Sequence, residues 1–377
     1  MKKTLAAVAI LGAFAGSALA DVTVYGRVNT SLHAQDTKTE WAGVEIADKT
    51  TWDMATGDYT GSRVGIKGSE KLAEGLTAGF VFEKGFKGDT GAAGDSAKAF
   101  DREAIVYLAT DYGTFGAGRM AAMVTSAGSW ALFGSHATFV GTGTSGLVGT
   151  GLFANATSRW DNMLAYKSPM MGGFQVYAQY SMGDKTDNES VGNNRYAALG
   201  AKYQAGGLTL VAVADQVNKK QEAAAKGDND AYTFNLGGNY NFGVASVSLG
   251  AQYFKGKDDI AGVKKEYNAN ADVIAAKATV DVEDADGYGV TFGVKAPCAG
   301  GNAYFSTTYV DGDATVAGAG EAVDVKAWNV GAMYDYNLSK NTFVYASVAY
   351  TQVEAETVAL EGEKKTVDAY VGLVHKF

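Results

Sequence analysis

The sequence predicts an all-β chain closed into a 16-stranded antiparallel transmembrane β-barrel. Three observations carry that prediction. Aromatic and aliphatic residues alternate with small or polar ones along most of the chain. Short connections between those stretches alternate with long polar ones. The 377 residues include 49 Gly, 21 Tyr, 17 Phe and 5 Trp but only 2 Pro, at a mean hydropathy of -0.08. That composition suits many strands, each apolar on one face only.

The chain opens with a leader. Lys2 and Lys3 precede an apolar run from Leu5 to Ala15, and Ala18-Leu19-Ala20 follows. A basic start, a short apolar core and small residues at the end form a secretory signal. The apolar core is shorter than the ~20 residues a spanning helix needs. The expected organisation is a signal peptide over 1–20 and one barrel domain over 21–377. Cleavage after Ala20 removes two lysines, taking the formal charge from -9 to -9 minus 2, or -11. No later run is long and apolar enough for a spanning helix, so the exported chain is either soluble or a barrel in a membrane.

Strand character is plainest in the middle of the chain. From Tyr232 to Phe242 one face reads Tyr, Phe, Leu, Tyr, Phe and the other Thr, Asn, Gly, Asn, Asn. Tyr288, Val290, Phe292 and Val294 alternate with Gly289, Thr291, Gly293 and Lys295 in the same way. A soluble sandwich would also alternate, and the connections separate the two. Short links fall at Lys71–Glu74, Asp111–Tyr112, Pro169–Met171, Gly206, Gly243, Pro297–Cys298 and Asn337–Leu338. Long polar ones fall near 34–58, 88–98, 121–157, 184–193, 219–229, 257–285, 313–322 and 354–364. Seven short turns and eight long loops separate sixteen strands, with both chain ends on the short-turn side. Turns at one rim and loops at the other are the pattern of an outer-membrane barrel. Closure satisfies every backbone group between strands, as lipid requires. The apolar face then meets lipid, and the Gly/Thr/Asn face meets water in a lumen too wide for side chains to fill. Tyr25, Phe86, Tyr166, Phe242 and Tyr336, near strand ends, are candidates for the interfacial aromatic girdles. Phe377 ends a strand whose alternate residues His375, Leu373, Val371, Ala369 and Val367 are mostly apolar, as a lipid-facing final strand requires.

Several blocks resemble the Gram-negative general porins, the trimeric diffusion channels of the outer membrane. They are Val22-Thr-Val-Tyr-Gly-Arg-Val-Asn29, the stretch from Ser62 to Leu76, Phe100-Asp-Arg-Glu-Ala104 and Asp111-Tyr-Gly-Thr-Phe-Gly-Ala-Gly-Arg119. The stretches from Arg159 to Pro169 and from Leu338 to Ala346, with the terminal Phe377, complete the set. The blocks lie in strands and short turns from one end of the exported chain to the other. The terminal aromatic is similar to the signal read by the barrel-assembly machinery. The resemblance implies a third loop that folds inward and narrows the pore opposite a row of basic residues. Carried over by position, that row is Arg27, Arg63, Arg102 and Arg159. Parity supports the first two independently, because Arg27 shares a face with Thr23 and Asn29, and Arg63 with Lys67. An arginine facing lipid at mid-depth would cost about 2–4 kcal/mol, so the lumen is its place. The competing role for each is an ion pair with a neighbour such as Glu83 or Asp161.

The third loop departs from the family pattern. Relatives carry acidic residues there, whereas Ala121 to Ser158 contains no Asp, Glu, Lys or Arg. It offers Trp130, Phe133, His136, Phe139 and Phe153 instead. An unopposed basic wall favours anions, because a low-dielectric constriction focuses fixed charge. Acidic residues in the outer loops, such as Asp281 to Asp286, push the other way. The loop aromatics either stack solutes or pack the loop against the wall.

Other chemistry finds little support. A charge of -9 and pI near 5.0 exclude a nucleic-acid partner, which calls for a basic face. One cysteine excludes an internal disulfide framework, and Cys298 reads as a lone thiol in a short turn. His33, His136 and His375 are scattered over first strand, third loop and last strand, and nothing brings a Ser/His/Asp set together. Gly141-Thr-Gly-Thr-Ser-Gly146 lacks the GK[ST] ending of a phosphate loop. Asp284-Ala-Asp286-Gly287 would place Gly293 where a calcium loop needs Glu. Asn155-Ala-Thr157 matches a glycosylation acceptor, which has little meaning in a bacterial-looking chain. The expected function is a passive, water-filled channel for small hydrophilic solutes and ions. Its expected partners are two further copies of itself in a homotrimer, outer-membrane lipid with lipopolysaccharide, and the assembly machinery, with no cofactor and no catalysis. The alternatives are a solute-specific channel, a closed barrel serving as surface adhesin or phage receptor, and an outer-membrane barrel protease or lipase.

Overall fold

The computed structural model describes residues 21–126, 128–139, 149–154, 159–183, 195–218, 230–257, 259–261, 263–264, 282–316, 322–357 and 361–377. The leader, the glycine run at 141–146, Asn155–Thr157 and Asp281 lie outside the described residues. The first strands are β1 (Asp21–Trp41), β2 (Val44–Thr56), β3 (Arg63–Ala73), β4 (Leu76–Gly85), β5 (Glu103–Thr110) and β6 (Gly113–Ala121). Next come β7 (Arg159–Lys167), β8 (Phe174–Ser181), β9 (Arg195–Ala205), β10 (Leu208–Asn218), β11 (Ala231–Asn241) and β12 (Ser246–Lys257). A small hairpin, β13 (Asp259–Ile260) and β14 (Val263–Lys264), precedes the last five. These are β15 (Val282–Cys298), β16 (Gly301–Val316), β17 (Ala322–Asn337), β18 (Thr342–Thr357) and β19 (Glu361–Lys376).

Every neighbouring pair in the main sheet is antiparallel, and β19 returns to β1, so the sheet closes. The sheet counts 17 strands because its second stave is broken. The outer half of β1 pairs with β2, Thr30 facing Thr56, while its inner half pairs with β3, Asp21 facing Ser69. Joining β2 to β3 as one stave gives the sixteen staves that the alternation predicts. At the closure Gly26 and Phe377 exchange backbone hydrogen bonds of 2.9 and 3.1 Å. The Phe377 ring lies where a Cβ on Gly26 would stand, so only glycine there lets the terminal ring rest on the wall.

The region expected as a loop over 34–58 is mostly strand: β1 and β2 continue as a hairpin turning at Ala42 and Gly43. Its polar composition misleads, since strands rising beyond the bilayer have no lipid face to make apolar. The real irregularity is 57–62, which leaves the ladder between β2 and β3. Hydroxyl groups replace the lost backbone pairing: Asn29 N–H donates to Ser62 Oγ (2.9 Å) and Thr56 Oγ1 donates to the Asn29 carbonyl (2.9 Å). From the following loop, Gly88 N–H donates to Thr56 Oγ1 (2.9 Å) and helps seal the gap.

The two faces of the wall divide as the alternation requires. Leu199, Phe234, Leu236, Leu249, Val348 and Val371 point outward and are more than half exposed, as side chains that meet lipid do. On the inner face Thr233, Asn235, Gln252 and Thr291 are polar, yet almost fully buried. The expectation that this face meets water holds for only part of the circumference. Elsewhere the segment after β6 covers it, building an apolar core inside the barrel from Met123, Leu132, Phe133, Phe153, Val213 and Phe254 among others.

Candidate functional site

The site starts from register. Arg27 on β1 stands directly opposite Arg63 on β3, so two guanidinium groups share one inner face. Like charges so placed repel and require counter-charge or hydrogen-bond acceptors nearby. Two groups supply them. The excursion at 57–62 presents Thr60, whose Oγ1 accepts from Arg27 Nη1 (3.4 Å) and Arg63 Nη2 (3.1 Å). On β4, Glu83 shares inward parity with Val81 while Phe80 and Phe82 pack together on the other face. Its Oε1 lies 3.5 Å from Arg63 Nη1 and accepts from Arg102 Nε at 2.5 Å. Its Oε2 accepts from the Tyr25 hydroxyl at 3.2 Å.

Glu83 is therefore the hub of the arginine group, and it is nearly buried (7% exposed). Arg159, at the start of β7, is within electrostatic reach of Arg102, Glu83 and Glu103, with its Nε buried and unpartnered. Four arginines thus gather around two carboxylates. Arg63 and Arg102 are both ion-paired with Glu83. Tyr25, considered for an interfacial girdle, points instead into the lumen, where it lines the same recess as Arg27.

Opposite the arginines stands the segment between β6 and β7. Its root is fixed by Glu103 on β5, whose carboxylate accepts from the Ser129 N–H (2.6 Å) and the Ser129 hydroxyl (2.7 Å). Gln179 on β8 adds two bonds, accepting from Met123 N–H (3.0 Å) and donating to the Ala121 carbonyl (2.9 Å). A short helix, Phe133–Ala137, then lies against β10, β11 and β12, and Asn239 Nδ2 donates to the His136 carbonyl (2.9 Å).

Inner-wall glycines receive this segment. A Cβ on Gly116 would stand 2.7 Å from the Trp130 ring, one on Gly250 2.9 Å from Ala137, and one on Gly289 2.7 Å from Phe153. Trp130 and Phe133 are buried against that wall, at 4% and 0% exposure. Of the two roles open to the loop aromatics, packing is the one their positions serve. Burial and then the charge of Lys202 hold the His136 imidazole below its ordinary pKa.

Between the arginines and the loop root lies a polar recess of about 510 Å³. Arg27, Arg63 and Glu83 line one side, and Ser126, Gly128 and Ser129 line the other. Two apolar recesses elsewhere lie among outward side chains such as Phe234, Leu236 and Leu249 and are grooves of the lipid face. The sequence names Glu83 as a pairing partner but not that it serves Arg63, Arg102 and Tyr25 together, and it gives no sign of the inward turn at 57–62. Thr60 carried no signal of its own.

The histidines and the cysteine add no catalytic arrangement. His33 lies between Asp368 (3.0 Å) and Asp53 (3.4 Å), so carboxylates occupy both ring nitrogens and neither is left for a nucleophile. His375 is exposed and lies 2.9 Å from the Thr342 hydroxyl. Cys298 is an exposed free thiol at the end of β15. Among the described residues no group of His, Cys, Asp and Glu is placed to hold a metal ion.

The chain is similar to known proteins in sequence and fold. Residues 5–356 match the family model described as Gram-negative porin. An outer membrane porin protein of Bordetella pertussis is 30% identical, with 100% of both chains covered. Outer membrane porin protein 32 of Delftia acidovorans is 29% identical, again over 100% of both. Among solved structures, the anion-selective porin from Comamonas acidovorans superposes with a TM-score of 0.64 at 22% identity, covering 95% of this chain and 100% of that one. A closed 16-stave barrel, apolar outside, with a polar recess inside, and a family match over nearly its whole length place this chain among the Gram-negative porins, outer-membrane barrels that let small solutes diffuse through their lumen.

Proposed function

We propose that this porin is a general, anion-preferring channel whose narrowest point is the recess between the arginine group and the segment rooted at Ser129. One observation carries the reading. Arg27 and Arg63 line that recess with Glu83 and Glu103, Arg102 and Arg159 stand within electrostatic reach of the same two carboxylates, and the facing segment contains no acidic residue. The local balance is four positive charges minus two negative ones, a net positive field where the lumen is narrow. Rings of fixed charge in a low-dielectric passage select counter-ions. Arg27, Arg63, Arg102 and Arg159 supply the charge, Glu83 and Thr60 hold the first three in place, and Trp130 and Phe133 anchor the opposite side.

The same reading includes three further parts. The leader is removed after Ala20, and three copies of the exported chain assemble through their outer walls. Phe377 serves as the mark for barrel assembly, with its ring displayed over Gly26. No catalytic role is assigned. The proposed preference has the same sign as that of the structurally similar Comamonas acidovorans porin, which is anion-selective.

Single-channel recording in a planar bilayer under a salt gradient tests the reading. Large ohmic steps grouped in threes, with a reversal potential on the anion side, are expected. A cation-side reversal potential would remove the preference but leave the channel. Absence of current from protein with the heat-modifiable mobility of a folded barrel would place the closed adhesin reading first.

A further inference from the structure

A second group of positive charges stands in the lumen below the loop. Lys67, Lys167, Lys202, Lys295 and Lys376 lie on the short-turn side of the arginine group. Lys67 follows Arg63 on the same face of β3 and lines the recess. Lys167 ends β7, with its ammonium 5.3 Å from the Trp130 ring centre on the underside of the docked segment. Lys202 is the next inward position after Gly200, where Leu132 and Met123 of that segment are seated. Lys295 follows Gly293 in the same sense and sits over the Tyr304 ring at 5.3 Å. Lys376 sits over the Phe343 ring, also at 5.3 Å. The lysines thus begin where the footprint of the loop ends.

Their surroundings differ from those of the arginines. Among the described residues, the lumen ion pairs use Glu83, Asp215 and Asp368, and none of them reaches these five lysines. Four of the five sit over aromatic faces: Lys67 over Tyr25 at 5.4 Å, Lys167 over Trp130, Lys295 over Tyr304 and Lys376 over Phe343. A ring face holds an ammonium by its quadrupole without cancelling the charge. Asp335, an inward carboxylate beside Tyr304, is occupied by the Tyr304 hydroxyl (2.7 Å) and Asn302 Nδ2 (2.8 Å). Lys67 shares the recess with Glu83 and Glu103, so the charge set apart from the arginine group is that of the other four lysines minus Asp335, or three.

We infer that the lysine tier contributes more to the charge preference of the pore than the ion-paired arginine group does, and forms a binding zone for small multivalent anions such as inorganic phosphate. The inference rests on the anion-preferring reading above. Several ammonium groups around one aqueous space attract a multivalent anion more than a monovalent one, because each contributes separately to its energy. Charge shared with a buried carboxylate, as at Arg63, contributes little at a distance beyond the ~8 Å screening length of physiological salt. Aromatic seats also keep the lysines from collapsing onto the wall.

The test compares two neutralised forms of the full-length protein in planar bilayers, Lys167→Gln/Lys202→Gln/Lys295→Gln and Arg63→Gln/Arg102→Gln. Potassium chloride gradients give the anion-to-cation permeability ratio, and added orthophosphate gives the block of chloride current. The lysine triple variant should lower the ratio by about threefold or more and abolish phosphate block, the arginine variant doing less on both counts. Phosphate block should also be stronger from one side of the membrane. Collapse of the ratio in the arginine variant, with the lysine variant within about 1.5-fold of the parent, would overturn the inference. Heat-modifiable mobility certifies each barrel as folded, and Lys295→Gln alone, far from the docked segment's root, gives a graded check should the triple variant not assemble. A parent channel that conducts but prefers cations would instead defeat the underlying reading, and the two failures are distinct.

Discussion

The inner wall of this barrel has two sides built from the same period-two sequence, and they behave as different materials. From β6 to β16 the inward residues include Gly116, Gly200, Gly237, Gly250 and Gly289, and an uncharged segment packs onto them. From β1 to β5 the inward residues are Tyr25, Arg27, Arg63 and Glu83, and they face a wet recess. The first side has become a core, with Phe133 and Met123 fully buried. The second has remained a surface. The contrast teaches that the width of a 16-stave barrel leaves a choice, and that side-chain size on the inner face makes it. Glycine removes the bulk that would hold a loop away, whereas arginine and tyrosine fill the same positions with groups that need water or partners.

The largest expected effect comes from breaking the packed side. Phe133→Ala removes a fully buried ring, a change that typically costs about 3–5 kcal/mol. Proteolysis within 121–158 should rise sharply while the barrel keeps its heat-modifiable mobility, and single-channel current should become noisy and larger on average. Gly289→Val approaches the same surface from the wall, forcing the Phe153 ring aside at about 1–3 kcal/mol. Unchanged protease resistance in both variants would mean that the segment does not depend on this seat, and the two sides would no longer differ in kind.

On the wet side the next effect is electrical. Glu83→Gln leaves Arg63 and Arg102 without their carboxylate and turns the local balance from two net charges to three. The anion-to-cation permeability ratio should rise by about twofold, read from the reversal potential. Barrel stability should fall as well, because uncompensated buried charge is costly. A ratio that falls would show that Glu83 organises the arginines more than it neutralises them.

Much of this contrast is legible in the sequence, and the missing part has a physical cause. Alternation fixes which face each strand residue takes, so sixteen staves, the inward Arg27 and Arg63 and the uncharged third segment follow from residues near in sequence, whereas Arg102, just before β5, and Arg159 are indicated only by the family resemblance. Which inward positions are covered depends on where a distant segment lands. Asn239 meets His136, and Glu103 meets Ser129, only after the barrel has closed. The inward turn at 57–62 is hidden for another reason: the hydroxyls of Thr56 and Ser62 replace a stretch of backbone pairing, and single hydroxyl residues carry no period. The polar hairpin of β1 and β2 reads as a loop because lipid, the agent that writes the alternation, is absent at that height.

A smaller effect tests how the packed side is joined to the wet one. Glu103 belongs to the wall beside the arginines, yet its carboxylate holds the root of the docked segment through Ser129. Glu103→Gln keeps one acceptor and loses the charge, so about 1–2 kcal/mol of anchoring should go, less than the loss at Phe133. Protease access near Ser129 should increase modestly, with the remainder of 121–158 still protected by its glycine seats.

The smallest effect is expected at Thr60. Its hydroxyl accepts from two arginines at once, at 3.4 and 3.1 Å, and it belongs to the part of the second stave that leaves the ladder. Thr60→Val keeps the shape and removes the acceptor, for a cost of about 0.5–1.5 kcal/mol, and leaves every charge in place. The permeability ratio should therefore hold while the open-channel current becomes noisier, because Arg27 loses its hydrogen-bond partner in the recess. A shift in the ratio without added noise would mean that the turn at 57–62 sets the electrostatics of the wet side. In that case the second stave would be broken in order to place a charge, whereas steady selectivity with added noise would mean that it is broken to hold one still.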